Sequence, residues 1–424
     1  MAMRFSRPLF TASVHATDEV LALERPADAV LSAFFRSHPQ VGQSDRATVA
    51  ETVFGILRRK RQIEYLLAPK SASEYVLGCW ALVLGANLRE LEALAPARTL
   101  DSLSEAKARS SGSTPESMPL AVTCDMPDWL VERLLPRLGE ERLRSLAAGL
   151  LQAAPLDLRV NVLKISREDA LAQLSASGIA AKPTPYSPFG LRVQGKPAIN
   201  RHPLFQQGCL EVQDEGSQLL CLLLEPRRGQ MVADFCAGAG GKTLALGMMM
   251  RSTGRLYAYD ISEPRLSKLK PRLARSGLSN VHAQRIEGER DIRLSRLAGK
   301  MDRVLVDAPC SGLGTLRRNP DLKWRHTPTA IEEMRVKQRA ILAAASKLVK
   351  PGGRLVYATC SLLEEENRSV VEEFIAGGAP FALRPAGAVL GAEGIRIEGD
   401  PYLELFPHVH GTDGFFAALL ERTS

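Results

Sequence analysis

The sequence lacks the features that would place it outside the cell or in a bilayer. Its seven cysteines stand at 79, 124, 209, 221, 236, 310 and 360, with no CxxC pair and an odd total. That spacing argues against a disulfide framework or a zinc knuckle and for a reducing compartment, so no metal is expected. Nowhere is there an apolar run of the ~18 residues that a membrane span needs. The opening stretch, MAMRFSRPLFTASVHATDEV, has no continuous apolar core of the signal-peptide kind. A cytoplasmic protein without a membrane partner is expected. Internal repeats and low-complexity tracts of note are missing too.

What is present is a chain of ordinary globular texture, 424 residues long, 45% hydrophobic and 24% charged. At ~150 residues per domain it predicts about three domains, or two with insertions. The 55 Lys and Arg residues outweigh 47 Asp and Glu, a net charge of +8. That excess points toward a polyanionic partner, although a merely basic enzyme fits it equally well.

From about Asp18 to Leu94, apolar residues recur every three or four positions, as in Val49, Val53, Ile56 and Leu57 and then Ile63, Leu66 and Leu67. This is the pattern of a helical bundle. The stretch from Ala95 to Pro119, which contains AKARSSGSTPESMP, shows no period and reads as a linker or long loop. Helical spacing returns over Asp128–Leu151, with Pro127 just before it. Between Pro155 and Leu224 the strand-like LDLRVNVL, GLRVQ and CLEVQ surround the capped helix pattern SREDALAQLSASG, which predicts a small α+β module. Beyond Gly229, strands and helices alternate through MVADFC, RLYAYD, VHAQRI, DRVLVD, GGRLVYATC and GFFAALLE. Such βα alternation predicts a doubly wound α/β domain with a mostly parallel sheet.

The strongest local signal is the run from Asp234 to Thr243, DFCAGAGGKT, a strand entering a glycine-rich turn that opens a helix. Glycines there let backbone amides approach a ligand at a helix N-terminus. A nucleotide phosphate loop fails by one residue, because its first glycine would fall on Cys236, and the dinucleotide fingerprint is only half met, with Thr243 in its third glycine's place. Asp260 closes the next strand, where a carboxylate can accept both hydroxyls of a ribose. Together they predict an adenosine-containing ligand, with S-adenosylmethionine ranked above NAD and ATP. The plainer alternative is that Asp260 only caps the helix that follows, beside Ser262 and Glu263.

Two further strands end in Asp307-Ala308-Pro309-Cys310-Ser311-Gly312 and in Thr359-Cys360-Ser361. In an open α/β sheet ligands bind at the carboxyl ends of the strands, so both thiols and Asp307 should face the crevice of the glycine-rich loop. A lone cysteine is usually an inert buried hydrophobe, and Cys79, Cys124, Cys209 and Cys221 are read that way. Two at matching strand ends suit pyrimidine chemistry. Thiolate addition at carbon 6 makes carbon 5 nucleophilic, after which a second group can assist removal of the carbon 5 proton. A carboxyl group at the base edge would stabilise the charge developed on the ring.

These motifs, together with SDRATVAETVFGILRRKR, PLDLRVNVLK, GCLEVQDEGSQLL, DAPCSGLGTLRRNPDLKWR, YATCSLLEEEN and HGTDGFF, make the chain resemble the RNA cytosine-5 methyltransferases of the NOL1/NOP2/Sun class. Within that class it is most similar to the bacterial small-subunit ribosomal RNA methyltransferase B group. The resemblance implies a NusB-like all-helical RNA-binding domain over 1–140, a small α+β RNA-recognition module over 145–225, and a class I, Rossmann-like methyltransferase domain over 226–424. It implies that the donor loop falls on Cys236, Ala237, Gly238, Ala239, Gly240, Gly241 and Lys242, and the ribose-binding acid on Asp260. Asp307 then joins the cofactor and catalytic residues, Cys310 releases the product and Cys360 is the nucleophile. Ala239 stands where the family usually has proline, and Gly238 where alanine is common. An adenine-contacting acid is expected near the end of the third strand, where Glu287 replaces the usual Asp; a plain surface role is its alternative.

Basic residues cluster at Arg58, Arg59, Lys60 and Arg61, and again at Arg317, Arg318, Lys323 and Arg325 beside Trp324. Both groups are candidate RNA contacts, the cations for phosphates and the indole for stacking on an unpaired base. For the first group a solvated helix face is the alternative. The target cytosine has to leave its stack, which favours a loop or single-stranded site. The resemblance thus implies a monomeric enzyme that methylates carbon 5 of cytosine in RNA, most readily 16S ribosomal RNA. The same chemistry on transfer RNA, or a non-catalytic RNA-binding assembly factor, are the alternatives.

Overall fold

Apolar runs such as DRVLVD and GGRLVYAT leave no polar face for water, so the strands they form must be covered on both sides. The computed structural model describes residues 5–112 and 117–423 and divides into two units. One comprises Met1–Ala153 with Thr315–Pro328, the other Ala154–Gly314 with Thr329–Ser424. Among the described residues no helix is long and apolar enough to cross a membrane.

The second unit opens with a small antiparallel sheet of β1 (Leu156–Val160), β2 (Ala181–Pro183), β3 (Gly190–Val193) and β4 (Leu210–Val212), in the order β2-β3-β1-β4. Leu158, Val160, Leu191 and Leu210 pack on Ala170 and Leu174 of the helix Arg167–Ala176. That helix starts where the Ser166 hydroxyl accepts the Asp169 N–H at 3.0 Å.

The large sheet contains β5 (Met231–Asp234), β6 (Arg255–Asp260), β7 (Val281–Arg285), β8 (Met301–Asp307), β9 (Val349–Thr359), β10 (Phe381–Arg384), β11 (Leu403–Leu405) and β12 (Phe415–Arg422). Its order is β10-β12-β9-β8-β5-β6-β7, with β11 paired to β12. The run from β9 to β7 is parallel, and β10, β11 and β12 are antiparallel additions. Adjacent residues of β8 show the two covered faces. Val304 and Val306 join one core with Ile341 and Leu342, while Leu305 joins another with Leu219 and Leu246. The helix Glu215–Leu224 is buried along its whole length, and its residues from Leu219 to Leu224 join this second core. Strand order reverses at β5, which places the crevice of the doubly wound sheet at the carboxyl ends of β5, β6 and β8.

The helical unit packs around Val49, Val53, Ile56, Leu57 and Ile63 of the helix Gln43–Leu67, with Trp80 fully enclosed and its indole N–H on Thr52 Oγ1 at 2.8 Å. Two expectations are corrected here. The stretch expected as a linker holds a helix, Ala97–Gly112, whose Leu103 and Ala106 are buried, whose Lys107 and Arg109 donate to the Ala86 and Leu66 carbonyls, and whose Asp101, Ser102, Ser104 and Glu105 are exposed; residues 113–116 lie outside the described residues. One narrow apolar stripe was too sparse to register as a period. The second concerns Lys323, which is buried, and Trp324, which is half-buried against the helical core. Trp324 packs against the helical core and donates its indole N–H to the Leu57 carbonyl at 2.7 Å. Its ring has the ammonium groups of Lys60 and Lys323 each 5.0 Å from its centroid. Lys323 is buried with its ammonium on the carbonyls of Arg58 and Asp125, and burial pulls its pKa down to about 8.

The first basic cluster is paired within the same unit. Arg58 donates to the Arg317 carbonyl, Arg59 lies 3.5 Å from Asp125, Lys60 meets Glu64 at 2.5 Å and Arg61 meets Asp128 at 2.6 Å. Arg317 is buried, and Arg325 lies 3.3 Å from Asp321.

If Trp324 packs against the helical core in this way, Trp324→Ala lowers the stability of the helical unit by about 2 kcal/mol through lost packing and the lost hydrogen bond to the Leu57 carbonyl. Urea unfolding followed by circular dichroism measures the loss; an unchanged midpoint would contradict that packing.

Candidate active site

The loop after β5 is shaped by what its backbone touches. Gly238 (φ +55°) donates its N–H to Asp260 Oδ2 at 2.8 Å, and the other oxygen of Asp260 accepts Ser262 N–H at 2.8 Å. Asp260 therefore caps the turn after β6 and also holds the glycine loop of β5. Gly240 (φ +83°) has no room for a side chain, since a Cβ there would stand 2.1 Å from Leu269 Cδ1. Ala239, the departure from the family pattern, offers its carbonyl to Arg272 at 2.6 Å. The helix Gly241–Met249 then begins, and Thr243 donates its hydroxyl to Asp234 Oδ2 at 2.6 Å.

Asp234 is buried and its Oδ1 has no hydrogen-bond partner among the described residues. Burial pushes its pKa up to about 7, against the help of Thr243. The sequence marked this residue only as the start of the motif. Its strand-end position was the available signal, and its missing partner could be seen only in the structure.

Lys242 does not point at a phosphate position. Its ammonium sits 2.6 Å from Asp307 Oδ2 and 5.7 Å from the centre of the Phe415 ring. Burial works against this charge, but the Asp307 carboxylate prevails and raises the pKa of Lys242, with Cys360 adding in the same direction.

Cys310 and Cys360 stand at the ends of β8 and β9 with their sulfurs 3.4 Å apart. The Cys360 N–H also points to Cys310 Sγ at 3.3 Å. The hydrogen bond to Cys360 and burial hold the Cys310 thiol well above the usual range. Glycines close the backbone around the pair. Gly314 N–H donates to the Cys360 carbonyl at 2.8 Å and Gly414 N–H to the Gly314 carbonyl at 2.8 Å, and a Cβ on Gly314 would lie 2.1 Å from the Gly414 oxygen. That contact accounts for Gly314, and a Cβ on Gly414, the second glycine of HGTDGFF, would in turn lie 2.8 Å from Gly314 Cα. Cys236, in the loop, is pushed up by burial.

A cleft of about 420 Å³ is lined by Cys236, Asp260, Ile261, Ile286, Cys310 and Cys360, a size that suits a small organic ligand. A second cavity of about 310 Å³, lined by Asp234, Gly238, Lys242 and Phe415, shares Cys236, Arg265 and Asp307 with the first. Glu287 does not join them. It is exposed at the end of β7, with its N–H on Asp291 at 2.9 Å, and the cleft is lined by its neighbours Ile286, Gly288 and Glu289. Among the described residues no group of three or more His, Cys, Asp or Glu side chains is arranged to hold a metal ion.

Comparison with known proteins places this geometry in a family. A family model described as 16S rRNA methyltransferase RsmB/F matches residues 221–421, and one described as Methyltr_RsmF/B-like, ferredoxin-like domain matches residues 126–200. The probable ribosomal RNA small subunit methyltransferase B of Synechocystis sp. is 33% identical, over 93% of this chain and 95% of its own. Among solved structures, a methyltransferase homolog protein from Pyrococcus horikoshii is 30% identical with a TM-score of 0.62, covering 73% of this chain and 100% of its own. The structure of NSun6 from Pyrococcus horikoshii with SFG shares the fold at 24% identity and a TM-score of 0.63, covering 70% and 98%.

The raised pKa of Asp234 has a measurable sign. An unfolded Asp ionises near pH 4, whereas the folded chain keeps this proton to about pH 7. The stabilising contribution is full below pH ~4 and is lost as pH rises to about 7. Relative to Asp234→Asn, the wild type therefore loses stability across that window and levels off above it. Parallel urea-denaturation curves for the two proteins from pH 4.5 to 8 would contradict the placement.

Proposed function

The chain belongs to the ribosomal RNA small subunit methyltransferase B family, and on that premise we propose that it transfers a methyl group from S-adenosylmethionine to carbon 5 of a cytosine in 16S ribosomal RNA. The observation that carries this reading is the thiol pair. Two cysteines 3.4 Å apart at neighbouring strand ends, beside a lysine–aspartate pair and a glycine-rich loop, suit addition to a pyrimidine followed by elimination.

The residues present fit the donor. Asp234 Oδ1 is a buried acceptor without a partner among the described residues, matching an ammonium group, and Asp260 at the cleft matches a ribose diol. The two cavities together are lined by five carboxylates, Asp214, Asp234, Asp260, Glu289 and Asp307, against three cations, Lys242, Arg265 and Lys337, a balance that favours a cationic ligand over a phosphate. When bound, the donor supplies an electrophilic methyl group on a positively charged sulfur. Asp234, Gly238 and Asp260 would hold it, and SFG, the S-adenosylmethionine analogue named with NSun6, accords with that use of the fold.

We assign the attack on carbon 6 of the base to Cys360, which has the Lys242 ammonium among its electrostatic neighbours. The Sγ–C6 bond forms as the C5–C6 π pair moves onto the ring, leaving carbon 5 nucleophilic. Asp307 accepts from the exocyclic amino group, a contact that uracil cannot make. Once Cys360 is a thioether it has no proton or charge to share with Cys310, so the thiol–thiol hydrogen bond, the largest cause of the raised Cys310 pKa, and the smaller charge contribution of Cys360 are both changed, while burial remains. Cys310 can then ionise and take the carbon 5 proton, after which the Sγ–C6 bond breaks and the double bond is restored. Of the basic residues expected to meet RNA phosphates, Arg59, Lys60, Arg61 and Arg325 are paired with Asp125, Glu64, Asp128 and Asp321 and Arg317 is buried, so attraction to RNA rests on the chain's net charge of +8 rather than on these clusters.

Two variants test the assignment. Cys360→Ala abolishes transfer of labelled methyl from S-adenosylmethionine to 16S ribosomal RNA, and robust labelling by that variant removes Cys360 as the nucleophile. Cys310→Ala accumulates protein bound to RNA through an adduct that survives denaturing electrophoresis. Without that adduct, the release role of Cys310 fails. Bisulfite sequencing of RNA from cells with and without the gene identifies the cytosine.

A further inference from the structure

Beneath the thiol pair lies a carboxylate that the chemistry above does not use. Glu366, fully buried, closes the short turn Glu364–Glu366 that follows Cys360. Its Oε1 accepts the backbone N–H of Ser311 at 2.8 Å and the side-chain amide of Gln338 at 3.0 Å. Its Oε2 accepts the hydroxyl of Ser311 at 2.5 Å and the hydroxyl of Ser361. Ser311 and Ser361 are the residues directly after Cys310 and Cys360. The same Gln338 amide donates to the carbonyl of Pro309 at 2.9 Å, just before Cys310, and Tyr357 of β9 donates its hydroxyl to the Glu366 carbonyl at 2.7 Å.

We propose that Glu366 is a positioning residue that holds the Cys310 and Cys360 loops in one register and so sets the distance between their sulfurs. This rests on the roles given to the two cysteines above. A carboxylate offers about four acceptor positions, and here each oxygen takes two donors drawn from elements that flank the thiols. No other common side chain of this length can accept four hydrogen bonds. A separation between two reacting groups is sensitive to such support, since a misplacement of ~1 Å can cost ~100-fold in rate.

Glu366→Gln keeps the shape and one oxygen. The backbone N–H of Ser311 and the Gln338 amide cannot turn away, so the new carbonyl oxygen serves them and the new NH₂ faces the two serine hydroxyls, which lose their shared acceptor. The expected result is a ~10- to 100-fold fall in single-turnover methylation of 16S ribosomal RNA, with S-adenosylmethionine affinity by calorimetry and the thermal midpoint near wild type. A second readout does not depend on turnover. Phenylarsine oxide is retained tightly only where two thiols can bridge one arsenic, so its affinity should fall at least ~10-fold in Glu366→Gln, as in the Cys310→Ala control. The double variant Ser311→Ala with Ser361→Ala leaves the backbone and Gln338 bonds of the carboxylate intact and should show the same two losses. A folded, donor-binding Glu366→Gln or double-serine variant that methylates and holds the arsenical like wild type overturns the proposal. If wild type fails to methylate RNA while the arsenical affinity still falls in the variants, the clamp stands and the cytosine chemistry falls.

Discussion

The parallel register of β5, β6, β8 and β9 is the constraint on which the site depends. Asp234 stands opposite Ala258 and Leu305, and Asp307 opposite Ala358, so the last residues of four strands emerge at one edge. Burial on both faces fixes this register, because a slip of one residue would exchange the side chains of the two cores. The acids and thiols lie within a few positions of those strand ends. They converge because the hydrophobic pattern upstream allows only one alignment, and the glycines and hydrogen bonds of the loops then adjust distances of a few ångströms.

The charges around that edge explain why a loop so close to a phosphate-binding motif does not behave as one. The lysine that would meet a phosphate is engaged by Asp307, Arg265 faces Asp260, and the remaining charged groups of the cavity at this loop are the carboxylates Asp214 and Asp234. One of them, Asp234, is held buried with an oxygen unpaired among the described residues, an arrangement that an anion would worsen and a cation would relieve. A single-residue difference in glycine spacing is therefore accompanied by a reversal of the local electrostatic preference.

Much of this was legible in the sequence. The βα alternation, the strand-end positions of Asp234, Asp260, Asp307, Cys310 and Cys360, and the periodic core of Gln43–Leu67 follow from patterns that local chemistry enforces. What could not be read depended on partners distant in the chain. Lys323 and Trp324 look like a basic aromatic surface until Leu57, Arg58 and Asp125 are brought to them. The helix Ala97–Gly112 buries so little that its composition resembles a loop. Glu287 occupies the expected strand end, but its side chain turns to solvent while its neighbours face the cleft. Glu366 sits in an acidic run, Glu364-Glu365-Glu366, and nothing local distinguishes the enclosed carboxylate from its two neighbours.

The assignment of Thr315–Pro328 to the helical unit has a consequence for the order in which the protein is made. The unit begins near the N-terminus, yet the indole that packs against its core and the lysine that bonds the backbone carbonyl of Asp125 are not synthesised until the ribosome has passed residue 324. A chain released at Ala153 would carry the helices without either residue. Domain-by-domain folding from the N-terminus, the usual route for a chain of this size, is here deferred: the first unit to emerge is completed only after half of the large sheet has been translated, and a boundary drawn from sequence order alone would cut the unit from part of its own packing.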